Sequence, residues 1–245
     1  MRRRARAGLT LLEVLIAVTL VSLLSTGLLM ATRVGLNSME AVKRRTTENR
    51  RTTGAHRILE EQLGGFMPVV EQCGGMMQGG GAPAPFFQGE MATMRFVTTY
   101  SLAEGLRGAP RIAEIFVAPG AEGRGVRLLV NEYLYGGPYG AGQFCLPPGE
   151  GPGAEGASWL RWRAVEAGPA SFVLADKLAY ARFGYKKMID REAPDIWLPR
   201  WIERNEWPRA IRIEMGPLEA DPSRVQPTSI TMPVRITRSP VEFTR

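Results

Sequence analysis

The reading of this chain turns on Gly8-Leu9-Thr10-Leu11-Leu12-Glu13 and the apolar run behind it, Val14 through Ala31. Between Leu9 and Ala31 the only charge is Glu13. As a helix rising about 1.5 Å per residue, this stretch spans a hydrocarbon core of about 30 Å. Nothing charged interrupts it after Glu13, so the sequence predicts a membrane span rather than a buried core helix.

Arg2, Arg3, Arg4 and Arg6 stand in front of the run. A secretory signal peptide also opens on basic residues, but its apolar region is about 7–15 residues long and ends at a small-residue cleavage site. Here the run is longer, carries a carboxylate near its start, and ends at Met30-Ala31-Thr32-Arg33 without an A-x-A pattern. A carboxylate in hydrocarbon costs about 2.5–3.5 kcal/mol, so one found there needs a partner. If the chain is cut after Gly8, the new α-amino group lies on Leu9 and Glu13 sits one helical turn further on. The expected counter-charge of Glu13 is then the amine of a neighbouring copy. The competing reading places Glu13 among lipid headgroups, where it needs none, on a plain single-span anchor.

G-L-T-L-L-E-V-L-I-A-V resembles the class III leader of prepilins and pseudopilins. In that family a membrane-embedded prepilin peptidase cuts after the glycine and methylates the new N-terminus. The resemblance implies that Gly8 ends the leader, that Leu9 is the N-methylated first mature residue, and that Glu13 is the glutamate used in assembly. The family's first mature residue is most often Phe, and here it is Leu9. The fold implied is α+β and pilin-like, with a long N-terminal helix packed on an antiparallel sheet. The expected organisation is a leader at 1–8, a transmembrane half-helix at 9–31, a periplasmic half-helix at 32–66 and a β-rich head at 67–245.

The chain has 245 residues and a net charge of +7. Of 31 Lys and Arg, four lie in the leader, so 27 against 24 Asp and Glu leave +3 for the rest. The excess basicity thus belongs largely to the leader, and nucleic-acid binding is not expected. The leader arginines hold the N-terminus in the cytoplasm by the positive-inside rule, which puts the head in the periplasm. Arg33, Lys43, Arg44 and Arg45 weaken that asymmetry.

No proline occurs between Met1 and Met67, so the helix is expected to continue beyond the membrane. Its last turns carry Ile58, Leu59 and Leu63, which with Phe66 form a stripe to dock the sheet. Gly64-Gly65 and then Pro68 are the expected stop. From Met67 to Glu90 glycine and proline predominate, without the GxxxxGK[ST] pattern of a phosphate cradle. Beyond it, strands are predicted at 93–100, 112–118, 126–135, 159–165, 172–174, 178–186, 209–215 and 228–237. Along 178–185, Leu178, Tyr180 and Arg182 fall opposite Ala179, Ala181, Phe183 and Tyr185.

Phe172 through Tyr185, then Trp197 and Trp201, then Trp207-Pro208-Arg209-Ala210-Ile211-Arg212-Ile213 resemble the order in J-type minor pseudopilins of type II secretion. His56 to Leu63 resembles that family's stem end. The implied function is a structural subunit of the pseudopilus tip, which initiates the filament and supports protein export across the outer membrane. Its partners are then the prepilin peptidase, other minor pseudopilins, the major pseudopilin and the inner membrane. A minor type IV pilus subunit, for adhesion, motility or DNA uptake, is the alternative within the superfamily. A membrane-anchored periplasmic enzyme or binding protein is the alternative outside it.

The residues themselves speak against the enzyme. No GxSxG, HExxH or CxxC occurs, and the single histidine, His56, falls on a charged helical stretch. Glu60-Glu61 and Asp190 with Glu192 read as solvated carboxylates, so no metal and no cofactor are expected. At least one of Trp197, Trp201 and Trp207 is expected to pack the sheet. In an oxidising compartment Cys73 and Cys145 can close a disulfide loop of about 70 residues, contributing about 4 kcal/mol. Two free thiols are the alternative.

Overall fold

A computed structural model describes residues 10–71, 84–120, 123–146, 161–188, 194–203, 206–218 and 227–234. The chain forms two compact units, Met1–Glu48 and Asn49–Arg245. One helix, α1 (Leu11–Gly64), begins in the first and ends in the second. It is followed by an antiparallel β domain, so the fold is α+β and of pilin type.

Within the second unit, the last turns of α1 bury Ala55, Leu59, Gln62 and Leu63. These positions repeat at helical spacing and make one stripe. Leu59 and Leu63 were legible as docking residues, and Ile58 and Phe66 pack at the flanks of the same cluster. Gln62 was not on that list. Its backbone carbonyl accepts the Thr98 hydroxyl at 2.8 Å, and its Nε2 donates to Glu132 Oε1 at 2.8 Å. The helix end is therefore fastened by polar bonds as well as by burial.

Gly65 ends the helix for a reason other than the expected one. Neither Gly64 nor Gly65 adopts positive φ, so no left-handed cap is made. Instead a Cβ at Gly65 would lie 2.7 Å from Thr98 Oγ1 and 3.1 Å from the Tyr100 backbone nitrogen. Only glycine lets the chain pass this close, and the Thr99 N–H then donates to Gly65 O at 2.8 Å. Gly65→Ala should destabilise the fold by about 1–3 kcal/mol through overpacking. Denaturant unfolding of the detergent-solubilised chain measures this, and an unchanged midpoint would contradict the close-approach argument.

The remaining elements are β1 (Phe66–Met67), β2 (Val70–Glu71), β3 (Ala84–Pro85), β4 (Gln88–Gly89), β5 (Thr93–Ser101), β6 (Leu106–Pro119), β7 (Val126–Leu134), a short helix α2 (Gly137–Gly142), β8 (Cys145–Leu146), β9 (Arg161–Trp162), β10 (Phe172–Lys187), β11 (Ile196–Leu198), β12 (Ala210–Pro217) and β13 (Thr228–Pro233). Among the described residues nine of the strands form one sheet, in the order β1-β5-β6-β7-β10-β12-β13. In addition β4 pairs with β5 and β11 with β10. β2 pairs with β3 and β8 with β9, outside that sheet.

Two predicted strands, 172–174 and 178–186, are one. β10 runs through Asp176-Lys177 by a bulge in which Lys177 takes a φ of 55° and its N–H donates to Asp176 Oδ1. The pairing with β7 slips there, at Val173/Ala175 and again at Ala175/Leu178. A third slip, against β12 between Leu178 and Tyr180, brings the extra residues to three, an odd number, so the inward-facing side chains change from Leu174 before them to Ala181, Phe183 and Tyr185 after them. β10 thus begins against β7 and ends between β12 and β11.

Of the predicted strand 159–165, residues 159 and 160 lie outside the described residues; β9 is Arg161–Trp162, the Arg163 N–H still donates to Phe144 O at 2.9 Å, and Val165 packs on Phe116 and Leu129 of the sheet instead of continuing the strand. β6 is longer than predicted and starts at Leu106, where Gly and Pro in an exposed hairpin arm had masked it.

One face of the sheet receives the helix: Leu59 and Leu63 join Phe96, Ile115, Val130, Phe183 and Ile211. The other face of β5–β7 is covered by α2 and by the segments around it. There Val97 and Ile112 pack with Val69, Phe86 and Ala141, while Phe116 and Leu129 pack with Val165. Trp201 and Trp207 are buried, as expected of at least one tryptophan. The Trp201 N–H donates to Gly89 O at 2.8 Å, and the Tyr185 hydroxyl donates to Glu90 O at 2.8 Å. The first bond ties the segment after β11 to β4, and the second ties β10 to the residue after β4.

Candidate functional site

Thr10 is the residue before the helix, and it caps it. The Glu13 N–H donates to Thr10 Oγ1 at 3.3 Å and to Thr10 O at 3.1 Å. T-x-x-E is the spacing of a capping box, in which the first residue satisfies a free N–H of the first turn. Glu13 also stands at the positive end of the helix dipole, where a carboxylate is stabilised. This local role adds to the membrane charge expected of Glu13, and its signal is the T-x-x-E spacing from Thr10. Gly8 and Leu9 lie outside the described residues.

From Thr10 to Glu40 every residue is exposed. Leu11 is 88% exposed, and Leu24, Leu28 and Leu29 are each above 70%. The stretch Leu11–Glu40 is long and apolar enough to cross a membrane. Its hydroxyls are already satisfied: Thr19 donates to Ile16 O, Ser22 to Val18 O, Thr26 to Ser22 O and Thr32 to Leu28 O, each at 2.8 Å. A helix whose polar side chains bond back to its own carbonyls presents few unmet hydrogen-bonding groups to lipid. Such a surface is suited to lipid or to other helices, and to water least of all.

Among the described residues of the head, Arg95 and Glu114 form a buried ion pair. Arg95 is 1% exposed and all its donors are used. Nε donates to Glu114 Oε1 at 2.7 Å, Nη1 to Gln88 Oε1 at 2.7 Å and to Phe144 O at 3.2 Å, and Nη2 to Arg163 O at 3.1 Å. Nη2 also lies 2.5 Å from Glu114 Oε1. The guanidinium carbon is 5.3 Å from the Phe144 ring centre and 5.4 Å from that of Trp162. Glu114 Oε2 accepts from Asn131 Nδ2 at 3.1 Å, and Asn131 Nδ2 also donates to Glu166 O at 3.0 Å.

Burial pulls the Arg95 guanidinium below its ordinary pKa, and Glu114 opposes this. Burial, then Glu114, raises the Tyr133 phenol. The sequence signal for this cluster is a pair of single opposite charges, Arg95 and Glu114, each set between hydrophobic neighbours in adjacent strands. Its geometry is that of a fastening. Every donor of Arg95 is spent on the protein, and the ring faces enclose it, so no group is left aimed at a substrate.

Among the described residues the other candidates form no catalytic arrangement. His56 is half-exposed and lies 3.5 Å from Glu60 of the next turn, a surface pair. Among the described residues no three His, Cys, Asp or Glu side chains gather as metal ligands. Asp190 and Glu192 lie outside those residues, as does Cys73. Cys145 is buried at the start of β8 and is not a free thiol. Trp197 is half-buried on the outer face, with the Arg212 guanidinium carbon 3.8 Å from its ring centre.

A family model described as the prokaryotic N-terminal methylation motif matches residues 3–29. No curated protein and no solved structure matches the chain. The motif supports a type IV pilin-like or pseudopilin subunit, and the helix followed by an antiparallel sheet agrees with it. It implies processing by prepilin peptidase and assembly with other pilin-like subunits, which suggests a structural role. The apolar N-terminal helix is compatible with single-pass anchoring.

Proposed function

We propose that this chain is a minor pseudopilin of J type, a subunit of the type II secretion pseudopilus tip. Peptidase cuts between Gly8 and Leu9 and methylates the Leu9 amine; residues 9–31 hold the subunit in the inner membrane, and the rest of the stem and the head at 67–245 stand in the periplasm. Glu13 is neutralised by a neighbour's N-terminal amine as the subunit leaves the lipid. Cys73 pairs with Cys145 and ties the glycine-rich segment to β8. The filament so begun takes part in export across the outer membrane.

The observation that carries this reading is the match at residues 3–29 on a helix whose residues from Leu11 to Glu40 are all exposed. The J-type assignment draws support from the order β10, a Trp-bearing segment, then β12, with β10 and β12 paired from Leu178 to Lys186. In the test, Glu13→Ala should insert in the membrane in normal amount and lose co-isolation with sibling subunits. Assembly at the level of the unaltered chain would remove the charge-pairing mechanism.

A further inference from the structure

On the head, β10, β11 and β12 turn a row of planar side chains to the sheet face opposite the helix. Ile211 and Ile213 of β12 lie in the core, so Arg212 and Glu214, which alternate with them, point the other way. Arg182 of β10 is the cross-strand partner of Glu214, and Tyr180 stands on the same face. The Tyr180 ring lies on Gly216, where a Cβ would come within 2.5 Å of Tyr180 Cε1. The Arg182 guanidinium carbon is 5.5 Å from the centre of that ring, and the Arg212 guanidinium carbon is 3.8 Å from that of Trp197.

Between the two cations, Glu214 Oε2 accepts from Arg182 Nε at 2.6 Å, and Glu214 Oε1 lies 3.7 Å from Arg212 Nη1. Two guanidiniums thus share one carboxylate, which leaves one positive charge unbalanced. Lys186, on the same face, is balanced by Asp195 at 2.6 Å. Among the described residues neither Arg182 nor Arg212 has a hydrogen-bond or ion-pair partner besides Glu214. One carboxylate offers about four acceptor positions to the five donors of each guanidinium, so donors remain unspent, the reverse of Arg95. A cavity of about 230 Å³ opens beside the row, lined also by Met91, Leu198 and Pro199. Pockets for small molecules run to about 300–1,000 Å³, and this one has room for a single side chain.

We propose that this face binds a partner protein through an aspartate or glutamate side chain, whose carboxylate is held by the outward N–H groups of Arg182 and Arg212. The inference concerns the head alone and does not depend on the filament reading. One unbalanced charge matches a monoanion, whereas a phosphate dianion would meet Glu214 at the same place. The guanidinium fork matches a planar carboxylate, and Met91 and Leu198 offer apolar contact to the carbons behind it. Stacking on Tyr180 and Trp197 holds both cations in place beforehand, which lowers the ordering cost of binding.

The test uses the full-length chain in detergent and a capped alanine peptide with one central glutamate, its binding read by saturation-transfer NMR at rising peptide concentration. The same peptide with glutamine in place of glutamate should bind at least about tenfold more weakly, and so should the glutamate peptide to Arg212→Gln, each losing a hydrogen bond to a charged group. Glu214→Gln removes the competing carboxylate and keeps an acceptor for Arg182, so binding should tighten severalfold, a gain that misfolding cannot produce. Equal binding of the two peptides, unchanged binding by Arg212→Gln or no gain with Glu214→Gln would overturn the proposal. So would binding of neither peptide up to about 10 mM. Displacement of the glutamate peptide by an equal concentration of inorganic phosphate would reveal a general anion site and overturn the carboxylate assignment.

Discussion

Arg95→Met should lower the stability of the folded chain by about 3–5 kcal/mol, the cost of leaving one member of a buried ion pair uncompensated. Glu114 is 3% exposed and would keep Asn131 as a donor while losing its cation. Gln88 Oε1 and the carbonyls of Phe144 and Arg163 would each lose the N–H they now accept. Those carbonyls flank β8 and β9, so the β8–β9 pair should loosen first. Arg95→Lys should recover only part of the loss, because an ammonium supplies three donors where the guanidinium supplies five. The double variant Arg95→Met with Glu114→Leu should be more stable than Arg95→Met alone, since an apolar pair needs no counter-charge. Denaturant unfolding followed by tryptophan fluorescence gives these values. A change below about 1 kcal/mol for Arg95→Met would show that the pair carries no such weight.

Gly8→Leu should leave nearly all of the chain as precursor, heavier by residues 1–8 on a gel. A protease that cuts beside glycine accepts a backbone with no side chain at that position, and a leucine there adds four carbons at the point of closest approach. The effect should be confined to cleavage. Membrane insertion should persist, because Leu11–Glu40 is unchanged and is the stretch apolar enough to span. Unimpaired processing of this variant would count against peptidase recognition at Gly8.

The helix was plain in the sequence because its signals are local. A proline-free apolar run needs no partner to declare itself, and the stretch long and apolar enough to cross a membrane, Leu11–Glu40, contains most of the span expected at 9–31. The alternation in β12 was equally visible: Ile211, Ile213 and Met215 face the core where period two puts them. The bulge at Lys177 was not. Asp176-Lys177 reads as a polar break, and only pairing with β7 and β12 on either side of it keeps one strand running through.

Gly65 was seen as a stop for the wrong cause, since its constraint comes from Thr98 and Tyr100, more than thirty positions away. The Arg95 cluster shows the same limit. Charge inside a strand reads as a solvent-facing residue until Phe144 and Arg163, beside β8 and β9, are known to lie over that face. Of the candidate site, Glu13 was legible as an unusual charge and Thr10 as neither cap nor marker. The T-x-x-E spacing that joins them lies in the six residues first quoted.

Mass spectrometry of the N-terminus of the native chain, purified from membranes, tests the central claim most directly. The account predicts a polypeptide that begins at Leu9 with a methyl group on its amine. A chain that still begins at Met1, or begins at any residue other than Leu9, would contradict it.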